Sequence, residues 1–463
     1  MKLRTIRILG FVIAMGSIVT AGAQSPETVG NANAAARATL NTGPVTMGVP
    51  RIFGGSANPG GGANLRSQVR IQATARPATS VPELTISTRS FPGSEALLPL
   101  WTFDILGSRD GDHHRGTIVG HSPFNNPQTD RIPTHIIPLL IRTHRVATAI
   151  DPKTLNLTTA PGDTITDPTA PDNACLTAPN NVPATLVRQS PIMTPTKFVF
   201  GGTNMGTTQY LDAFERASFF KALGSRLDQY HVLLNPIRMH DPVVIDVPAN
   251  EGLSINDPNF FQAFQFSICA PLQFVDINWF DSYVQGTLLP ALAAEGIDAD
   301  SLPVFISYEA AWPVGDVTNI GNCCAIGYHN AAGAPIVTQT YAVADFDRTQ
   351  FFSGPAAGLD TDPLSHEIGE WMNDPFGSNL TAPWGHTGQV AGCQANLEVG
   401  DPLSGTDLAP VTMPNGFTYH LQELAFFSWF YGAPSVGVHG WFSNNNSFSD
   451  AAGTPLDAGP PCP

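Results

Sequence analysis

Basic residues are scarce in this 463-residue sequence. Lysine and arginine together number 22 against 38 aspartates and glutamates, which gives a formal net charge of −16. Proteins that bind nucleic acids or anionic membrane surfaces usually present clustered positive charge. The charge balance therefore argues against both classes of partner, and we expect no nucleic-acid partner.

Long apolar runs are missing after the N-terminal segment. No later stretch approaches the roughly 18 to 20 apolar residues that a membrane-spanning helix needs. The first residues, MKLRTIR, are basic and precede the apolar run ILGFVIAMGSIVTAGA, which ends in small residues. This order is typical of a secretory signal peptide over residues 1–23, cleaved after Ala23, with an uncleaved membrane anchor as the alternative. We expect a secreted, extracellular protein with no integral membrane segment after signal cleavage.

Signatures of several common active sites are also missing. The sequence has no G-x-S-x-G nucleophile elbow, P-loop or dinucleotide-binding fingerprint in a strand-to-helix context, which disfavours serine-hydrolase and nucleotide chemistry. No repeat of fixed period is found, which disfavours solenoids and propellers. The composition does supply 42% hydrophobic against 13% charged residues, which is enough apolar material for a large folded core.

The cysteines suit an oxidising compartment, because they are even in number and dispersed along the chain. They are Cys175, Cys269, Cys323, Cys324, Cys393 and Cys462. No C-x-x-C pair occurs, which disfavours a zinc site made of cysteines alone. Six cysteines allow 15 pairings, so the sequence leaves the connectivity open. We expect the adjacent Cys323 and Cys324 to bridge to two different partners, Cys393 among them, rather than to each other.

The chain divides by composition into a leader and a folded part. Residues 24–92 are poor in aromatic residues and rich in Ala, Gly, Pro, Ser and Thr. Such a segment is typical of a flexible leader, with a propeptide that shields the active site as the alternative. Residues 93–463 are expected to form one folded domain with a β-rich N-terminal part.

Hydrophobic patterning predicts the elements of that domain. In the front half, the short apolar runs WTFDI, GTIVG and IPLLIRTHRVA are bounded by turn residues and predict strands. In the back half, apolar spacing predicts helices over residues 207–224 and 280–296. Strands are predicted over residues 304–308, 323–329 and 336–346. The predicted fold class is therefore α/β in the broad sense, that is α+β, with a β-rich front half.

The stretch SHEIGEWMNDP, residues 365–375, directly follows the last of these strands and is bounded at both ends. Asp362-Pro363 offers an N-cap and a first-turn proline, and Asp374-Pro375 ends the element, so a helix of about eleven residues is predicted. An ordinary capped helix with solvated polar side chains would show the same pattern.

Three polar residues of this helix have the spacing of a metal site. His366 and Glu370 are four residues apart, so their side chains project together and can share one cation. Glu367 is placed to act as the general base on a metal-bound water. The pattern is an H-E-x-x-H zinc helix in which glutamate replaces the second histidine.

A third protein ligand is expected from the turn-rich segment 382–405. Glu398 is the first choice for this ligand. Asp401 is an alternative ligand or a hydrogen-bonding partner of the ligands, and His386 is a second competitor. His329, at the end of a predicted strand, is assigned a structural role in preference to one in catalysis.

The order of these motifs resembles a known block. A strand followed by HEIGE, Asn-Asp-Pro, Trp384 and E-x-x-D (Glu398, Asp401) is similar to the HE-[IL]-x-E, [DN]-P, W, E-x-x-D block of secreted bacterial proteins related to the plant phosphate-induced, exordium-like family. That block resembles the active-site helix of zincin metallopeptidases. The resemblance covers about residues 304–445, and it implies a zincin-like mixed sheet with an active-site helix. Pro402 stands where relatives often carry a cysteine.

Together these features predict a secreted metal-dependent hydrolase, specifically a zincin-like metallopeptidase acting on a protein or peptide substrate. Zinc is the expected metal, and the oxygen-rich ligand set leaves manganese or iron open. The alternative is a non-catalytic extracellular or envelope-associated protein that uses the same helix as a structural metal site. The sequence does not indicate the oligomeric state.

Overall fold

A computed structural model describes residues 98–262, 266–334, 337–349, 358–432, 434–448 and 462. The predicted signal peptide (residues 1–23) and leader (residues 24–92) lie outside the described residues. No helix in the described part of the chain combines the length and the apolar character needed to cross a bilayer.

Extended backbone dominates the described chain. In chain order its strands are β1 (Leu100–Leu106), β2 (His113–Val119), β3 (Thr129–Ile150), β4 (Leu157–Thr166), β5 (Thr196–Phe200), β6 (Thr203–Thr208), β7 (His231–Met239), β8 (Val243–Asp246), β9 (Gly252–Ile255), β10 (Leu272–Val275), β11 (Leu302–Tyr308), β12 (Ala310–Ala311), β13 (Gly327–Ala334), β14 (Val337–Phe346), β15 (Leu380–Thr387), β16 (Val390–Asn396), β17 (Val411–Thr412) and β18 (Thr418–Tyr419).

The helices are short and lie mostly in the second half of the described chain. They are α1 (Pro183–Gln189), α2 (Tyr210–Ser218), α3 (Phe220–Leu223), α4 (Ile277–Tyr283), α5 (Leu289–Ala294), α6 (Asp362–Asn373) and α7 (Phe427–Tyr431).

A large mixed sheet is built around β3, which is 22 residues long. Strand β3 runs parallel to β7 on one side and to β11 on the other, and β11 runs parallel to β14. Strand β13 pairs with β14 in the antiparallel direction. The later part of β3 pairs with β4 and β8, and β9, β10 and β12 continue the sheet. Helices together with a mixed sheet confirm the predicted α+β class.

Alternate residues of the central strands face two different cores, as the two-residue period of a strand requires. On β11, Val304 and Ile306 belong to the core that also contains the apolar side of α6, whereas Phe305 belongs to the core beneath α4 and α5. On β14, Ala342 and Ala344 point to the α6 side. Their small side chains leave room for α6 to lie close to the sheet, and Trp371 of α6 donates a 2.9 Å hydrogen bond to Thr340 of β14.

Most predicted elements are confirmed, but two predicted helices are interrupted. The segment 207–224 forms α2 and α3, which are separated at Phe219, whose ring packs against Trp101 and Phe427. The segment 280–296 forms the end of α4, a π-helical turn and α5. The π-helical turn immediately precedes the helical turn that contains Pro290, because a proline has no backbone N–H to continue the regular hydrogen-bond ladder.

All six cysteines form disulfide bonds, and their pairing corrects one expectation. Cys175 is bonded to Cys269, and Cys393 is bonded to Cys462. The adjacent Cys323 and Cys324 are bonded to each other, so the expectation of two separate partners for this pair was wrong. The other four cysteines already form two bonds, which leaves the adjacent pair to close on itself. Strand β13 follows this pair and begins at Gly327, not at 323 as predicted.

Candidate metal centre

Helix α6 carries the candidate site and is bounded by the residues that the sequence indicated. Pro363 lies in its first turn and Asp374 follows its last residue, with a non-helical φ of −141°. The cap differs from the expectation, because Thr361 occupies the N-cap position and Asp362 is the first helical residue. The Asp362 carboxylate instead accepts a 2.8 Å hydrogen bond from the backbone N–H of Gly358, so it still ties down the start of the helix.

The helix is buried on all sides, which excludes an ordinary surface helix. Its apolar side, including Ile368 and Trp371, joins the core beneath the sheet. On its polar side, His366, Glu367 and Glu370 are each 0% exposed. Ionisable groups that are buried to this extent need opposite charges, hydrogen bonds or a metal ion around them. The polar side of the helix therefore faces other buried groups of the protein and not solvent.

A first group of side chains converges on His366. Its Nε2 atom lies 3.1 Å from Oε1 of Glu370 and 3.7 Å from Oδ1 of Asp401. The three ligand-type atoms lie within 4.8 Å of one another, as a shared cation would require. Asp401 comes from a short 3-10 turn, Asp401–Leu403, which follows Gly400.

Gly400 makes this approach sterically possible. A Cβ atom at position 400 would lie 2.4 Å from Nδ1 of His366, much closer than real Cβ contacts. The backbone of Gly400 has φ −84° and ψ −39°, which any residue can adopt. Glycine is therefore needed at this position for space, and not for a left-handed conformation.

A second group converges on His329 of strand β13. Its Nδ1 atom lies 3.4 Å from Oε2 of Glu367 and 3.6 Å from Oε2 of Glu370. These atoms also lie within 4.8 Å of one another. Strand β13 can pass this close to α6 because Gly327 has no side chain. A Cβ atom at position 327 would lie 2.9 Å from Oε1 of Glu367.

Hydrogen bonds orient both imidazoles. Nδ1 of His366 lies 2.9 Å from Oε1 of Gln422, whose side-chain nitrogen donates to the carbonyl of Gly400. The Gln422 oxygen is therefore the acceptor, His366 carries hydrogen on Nδ1, and its Nε2 faces the carboxylates. For His329, Nε2 lies 3.2 Å from the carbonyl oxygen of Asp374, so this nitrogen donates and Nδ1 faces the carboxylates. Ligating histidines are usually held in this way by their second nitrogen.

The carboxylates are oriented as well. The backbone N–H groups of Gly400 and Asp401 both lie 3.2 Å from Oε1 of Glu370. Gln394 donates a 2.7 Å hydrogen bond to Oδ2 of Asp401, and Gln389 donates to Oδ1. Such contacts fix the direction in which a carboxylate presents its oxygens to a metal ion.

The charges of the cluster depend on one another. Burial lowers the pKa of His366, but the carboxylates of Glu370 and Glu367 outweigh burial and raise this pKa to about 10. Burial favours a higher pKa for Glu370, but the neighbouring imidazoles instead lower it to about 2. Burial lowers the pKa of His329, but the nearby carboxylates of Glu367 and Glu370 outweigh burial and raise it well above its usual value. Burial raises the pKa of Glu398 well above its usual range.

Several carboxylate oxygens of the cluster have no hydrogen bond. Oε1 of Glu367, Oε2 of Glu370 and Oε2 of Glu398 are buried and have no hydrogen-bond partner among the residues that the structure describes. An uncompensated buried carboxylate costs several kcal/mol. A cation bound between such carboxylates would compensate their buried charge.

The candidate third ligands lie at different places. Asp401 is the one that the structure groups with His366 and Glu370. Glu398 accepts a 2.6 Å hydrogen bond from Asn396, and its other oxygen lies 3.9 Å from Nε2 of His329. His386 lies outside both buried groups, 3.5 Å from the sulfur of Cys393. That sulfur is in a disulfide and offers no thiolate, so His386 has no metal-binding partner there.

His329 is the site residue that sequence reasoning missed. It was assigned a structural role, yet it is fully buried within the cluster. Only the pairing of β13 with β14, in which His329 lies opposite Ala342, brings it over α6. The sequence signal that could have indicated His329 was its position at the end of a predicted strand upstream of the helix. Gln422, which orients His366, was also missed, because it lies 56 residues from His366 along the chain and only the fold brings the two together.

Comparisons with known proteins do not assign a family. No protein-family model, no curated protein and no solved structure matches this chain. The resemblance to the exordium-like family and to zincins therefore stays a prediction, and the chemistry of the cluster is inferred from its geometry.

Proposed function

We propose that the protein binds a divalent metal ion through His366, Glu370 and Asp401 and is a metal-dependent hydrolase. The observation that carries this proposal is the convergence of these three ligand-type atoms within 4.8 Å of one another in a fully buried cluster. A histidine nitrogen and two carboxylate oxygens form a donor set that suits zinc. Because two of the three donors are oxygen, manganese and iron also fit.

The residues present fit a metal ion by three further criteria. Nδ1 of His366 makes the orienting hydrogen bond with Gln422, and Nε2 lies on the side of Glu370 and Asp401. The backbone N–H of Asp401 holds the Glu370 carboxylate in place, and the side chain of Gln394 holds the Asp401 carboxylate. Glu370 has a buried oxygen with no hydrogen-bond partner in the described structure. A metal ion there would activate a water molecule by lowering its pKa and would polarise a carbonyl group.

Glu367 is the residue that we propose as the general base. It directly follows His366 on α6, and its Oε1 atom lies 4.0 Å from Nε2 of His366, beside the proposed ligand set. This oxygen has no hydrogen-bond partner in the described part of the chain. Glu367 would accept a proton from the attacking water and return it to the leaving amine of a peptide.

Features of the sequence support the substrate class and the location that we propose. The predicted signal peptide and the three disulfides support export to an oxidising compartment. The resemblance to zincins supports a protein or peptide substrate. We therefore propose a secreted metallopeptidase.

One observation favours a second candidate function, a non-catalytic protein with a structural metal site. His366, Glu367 and Glu370 are all 0% exposed and Asp401 is 1% exposed, whereas a peptide must reach the water that attacks it. Structural metal sites are closed by protein ligands, and catalytic sites keep one position open.

A single substitution separates the two candidates. In the hydrolase, Glu367→Gln retains the metal but loses hydrolysis of a fluorescently labelled casein by about 100-fold or more, because a general base contributes about 10² to 10⁴ in rate. The exposed Glu295→Gln variant is the control and should keep full activity.

The structural candidate predicts a different result. The wild-type protein would then contain metal but show no hydrolysis, and chelation would lower its melting temperature. If wild type hydrolyses casein and metal-replete Glu367→Gln hydrolyses it equally fast, the assignment of Glu367 as the base is contradicted.

A further inference from the structure

We propose that this cluster holds two divalent cations, bridged by the carboxylate of Glu370, with His366 and Asp401 on one side and His329 and Glu367 on the other. The inference goes beyond the proposed function, which requires one ion, and it rests on the ion site at His366.

The two oxygens of Glu370 face different histidines. Oε1 lies 3.1 Å from Nε2 of His366, and Oε2 lies 3.6 Å from Nδ1 of His329. A carboxylate in this position can bind one ion with each oxygen. Two-metal hydrolytic sites hold their ions about 3.5 to 4 Å apart, a separation that a bridging carboxylate spans.

The His329 side has its own complete set of donors. Nδ1 of His329, an oxygen of Glu367 and an oxygen of Glu370 lie within 4.8 Å of one another. Nε2 of His329 donates to the carbonyl of Asp374, so in the neutral ring the lone pair of Nδ1 points at two carboxylate oxygens. Lone pairs that face each other repel, and either a proton or a cation must lie between them.

Charge favours a cation over a proton alone. Glu367, Glu370 and Glu398 are 0% exposed, and within the described residues no lysine or arginine forms an ion pair with any of them. With Asp401 the cluster contains four buried carboxylates, and one divalent ion balances at most two negative charges. Oε2 of Glu370, which faces His329, has no hydrogen-bond partner among the described residues, and the second ion would satisfy it.

The second ion is compatible with Glu367 as the general base, because its two oxygens point to different places. Oε2 lies 3.4 Å from Nδ1 of His329, and Oε1 lies on the His366 side. Glu367 would use Oε2 as a ligand and keep Oε1 for the proton. Glu398, whose oxygen faces the other nitrogen of His329, is not needed as a ligand.

The experiment uses Mn²⁺ alone as the probe. The full chain is stripped of metal and titrated with Mn²⁺, the bound ion is counted after gel filtration, and the electron paramagnetic resonance spectrum is recorded. We expect two equivalents and the spectrum of two coupled Mn²⁺ ions. His329→Ala should bind one equivalent and give the spectrum of an isolated ion, and the exposed His113→Ala control should still bind two.

The wild-type spectrum decides the question even if His329→Ala does not fold. One equivalent with an isolated-ion spectrum in the wild type would overturn the two-ion inference and leave the proposed function intact if casein is hydrolysed. Two coupled ions without hydrolysis would support the inference and contradict the hydrolase. Binding of no Mn²⁺ by protein that remains folded would overturn both.

Discussion

At the scale of single residues, the site depends on small side chains as much as on ligands. Gly400 and Gly327 lie where an added Cβ atom would meet His366 and Glu367 at less than 3 Å. The ligands themselves could be predicted only where they share one helix. His366 and Glu370 follow from four-residue spacing, whereas Asp401 and His329 reach the cluster through separate elements.

Gly400→Ala tests this dependence on space. The backbone at this position suits alanine, so the only change is a methyl group that would contact the His366 ring. We expect a loss of about 1 to 3 kcal/mol in the free energy of unfolding, as in other overpacked sites, together with weaker metal binding. Thermal melting and a metal titration measure the two effects.

Gly392→Ala is the matched control for this substitution. An added Cβ atom at position 392 meets nothing within 4 Å, and the residue is exposed. Its stability and metal affinity should stay within about 0.5 kcal/mol of wild type, as is usual for surface changes. Equal effects at Gly400 and Gly392 would show that the close approach to His366 is unimportant.

At the scale of elements, α6 is held by polar as well as apolar contacts with its neighbours. Asn373, the last residue of α6, donates a 2.7 Å hydrogen bond to Glu215 of α2. Burial raises the pKa of Glu215 to about 8, although the bond from Asn373 lowers it. The folded state therefore keeps Glu215 protonated near neutral pH, whereas the unfolded chain releases this proton above about pH 4.3.

This contact predicts a pH dependence of stability. A raised folded-state pKa stabilises the fold below about pH 4.3, and this contribution is lost as the pH rises through about 8. Glu215→Gln keeps the acceptor for Asn373 and mimics the neutral acid. We expect the variant to gain about 1 to 3 kcal/mol over wild type at pH 8 and nothing near pH 4, measured by urea unfolding.

The exposed Glu295→Gln variant should show no such difference at either pH. A stability gain for Glu215→Gln that is the same at pH 4 and pH 8 would contradict the assignment of a raised pKa to Glu215.

The elements also show which parts of the fold the sequence predicts. Strands β11 and β14 and helix α6 have strong local signals, namely β-branched and apolar runs, and the Pro363 and Asp374-Pro375 boundaries. The break at Phe219 has no such signal, because it accompanies aromatic packing against distant residues. The register of β13 on β14, which brings His329 to the site, likewise depends on tertiary pairing.

At the scale of the whole molecule, disulfides tie together distant parts of the chain. The Cys175–Cys269 bond closes a separation of 94 residues, and the Cys323–Cys324 bond closes a separation of one. In the chain-entropy account, a cross-link stabilises a protein by restricting its unfolded state, and a longer loop gives a larger effect.

Removal of the long-range bond should therefore cost more than removal of the local one. We expect the Cys175→Ser, Cys269→Ser double variant to lose about 2 to 5 kcal/mol in free energy of unfolding. The Cys323→Ser, Cys324→Ser double variant is the control and should lose less. Urea unfolding of both variants under non-reducing conditions measures the difference, and equal losses would contradict the chain-entropy account for this protein.

The metal content of the purified full chain tests the central claim most directly. After metal-replete expression, elemental analysis should find at least one equivalent of divalent metal in the wild type and in the His113→Ala control. His366→Ala should lose at least one equivalent, because it removes the nitrogen ligand. A wild-type content below about a tenth of an equivalent, unchanged in His366→Ala, would contradict the proposed metal centre.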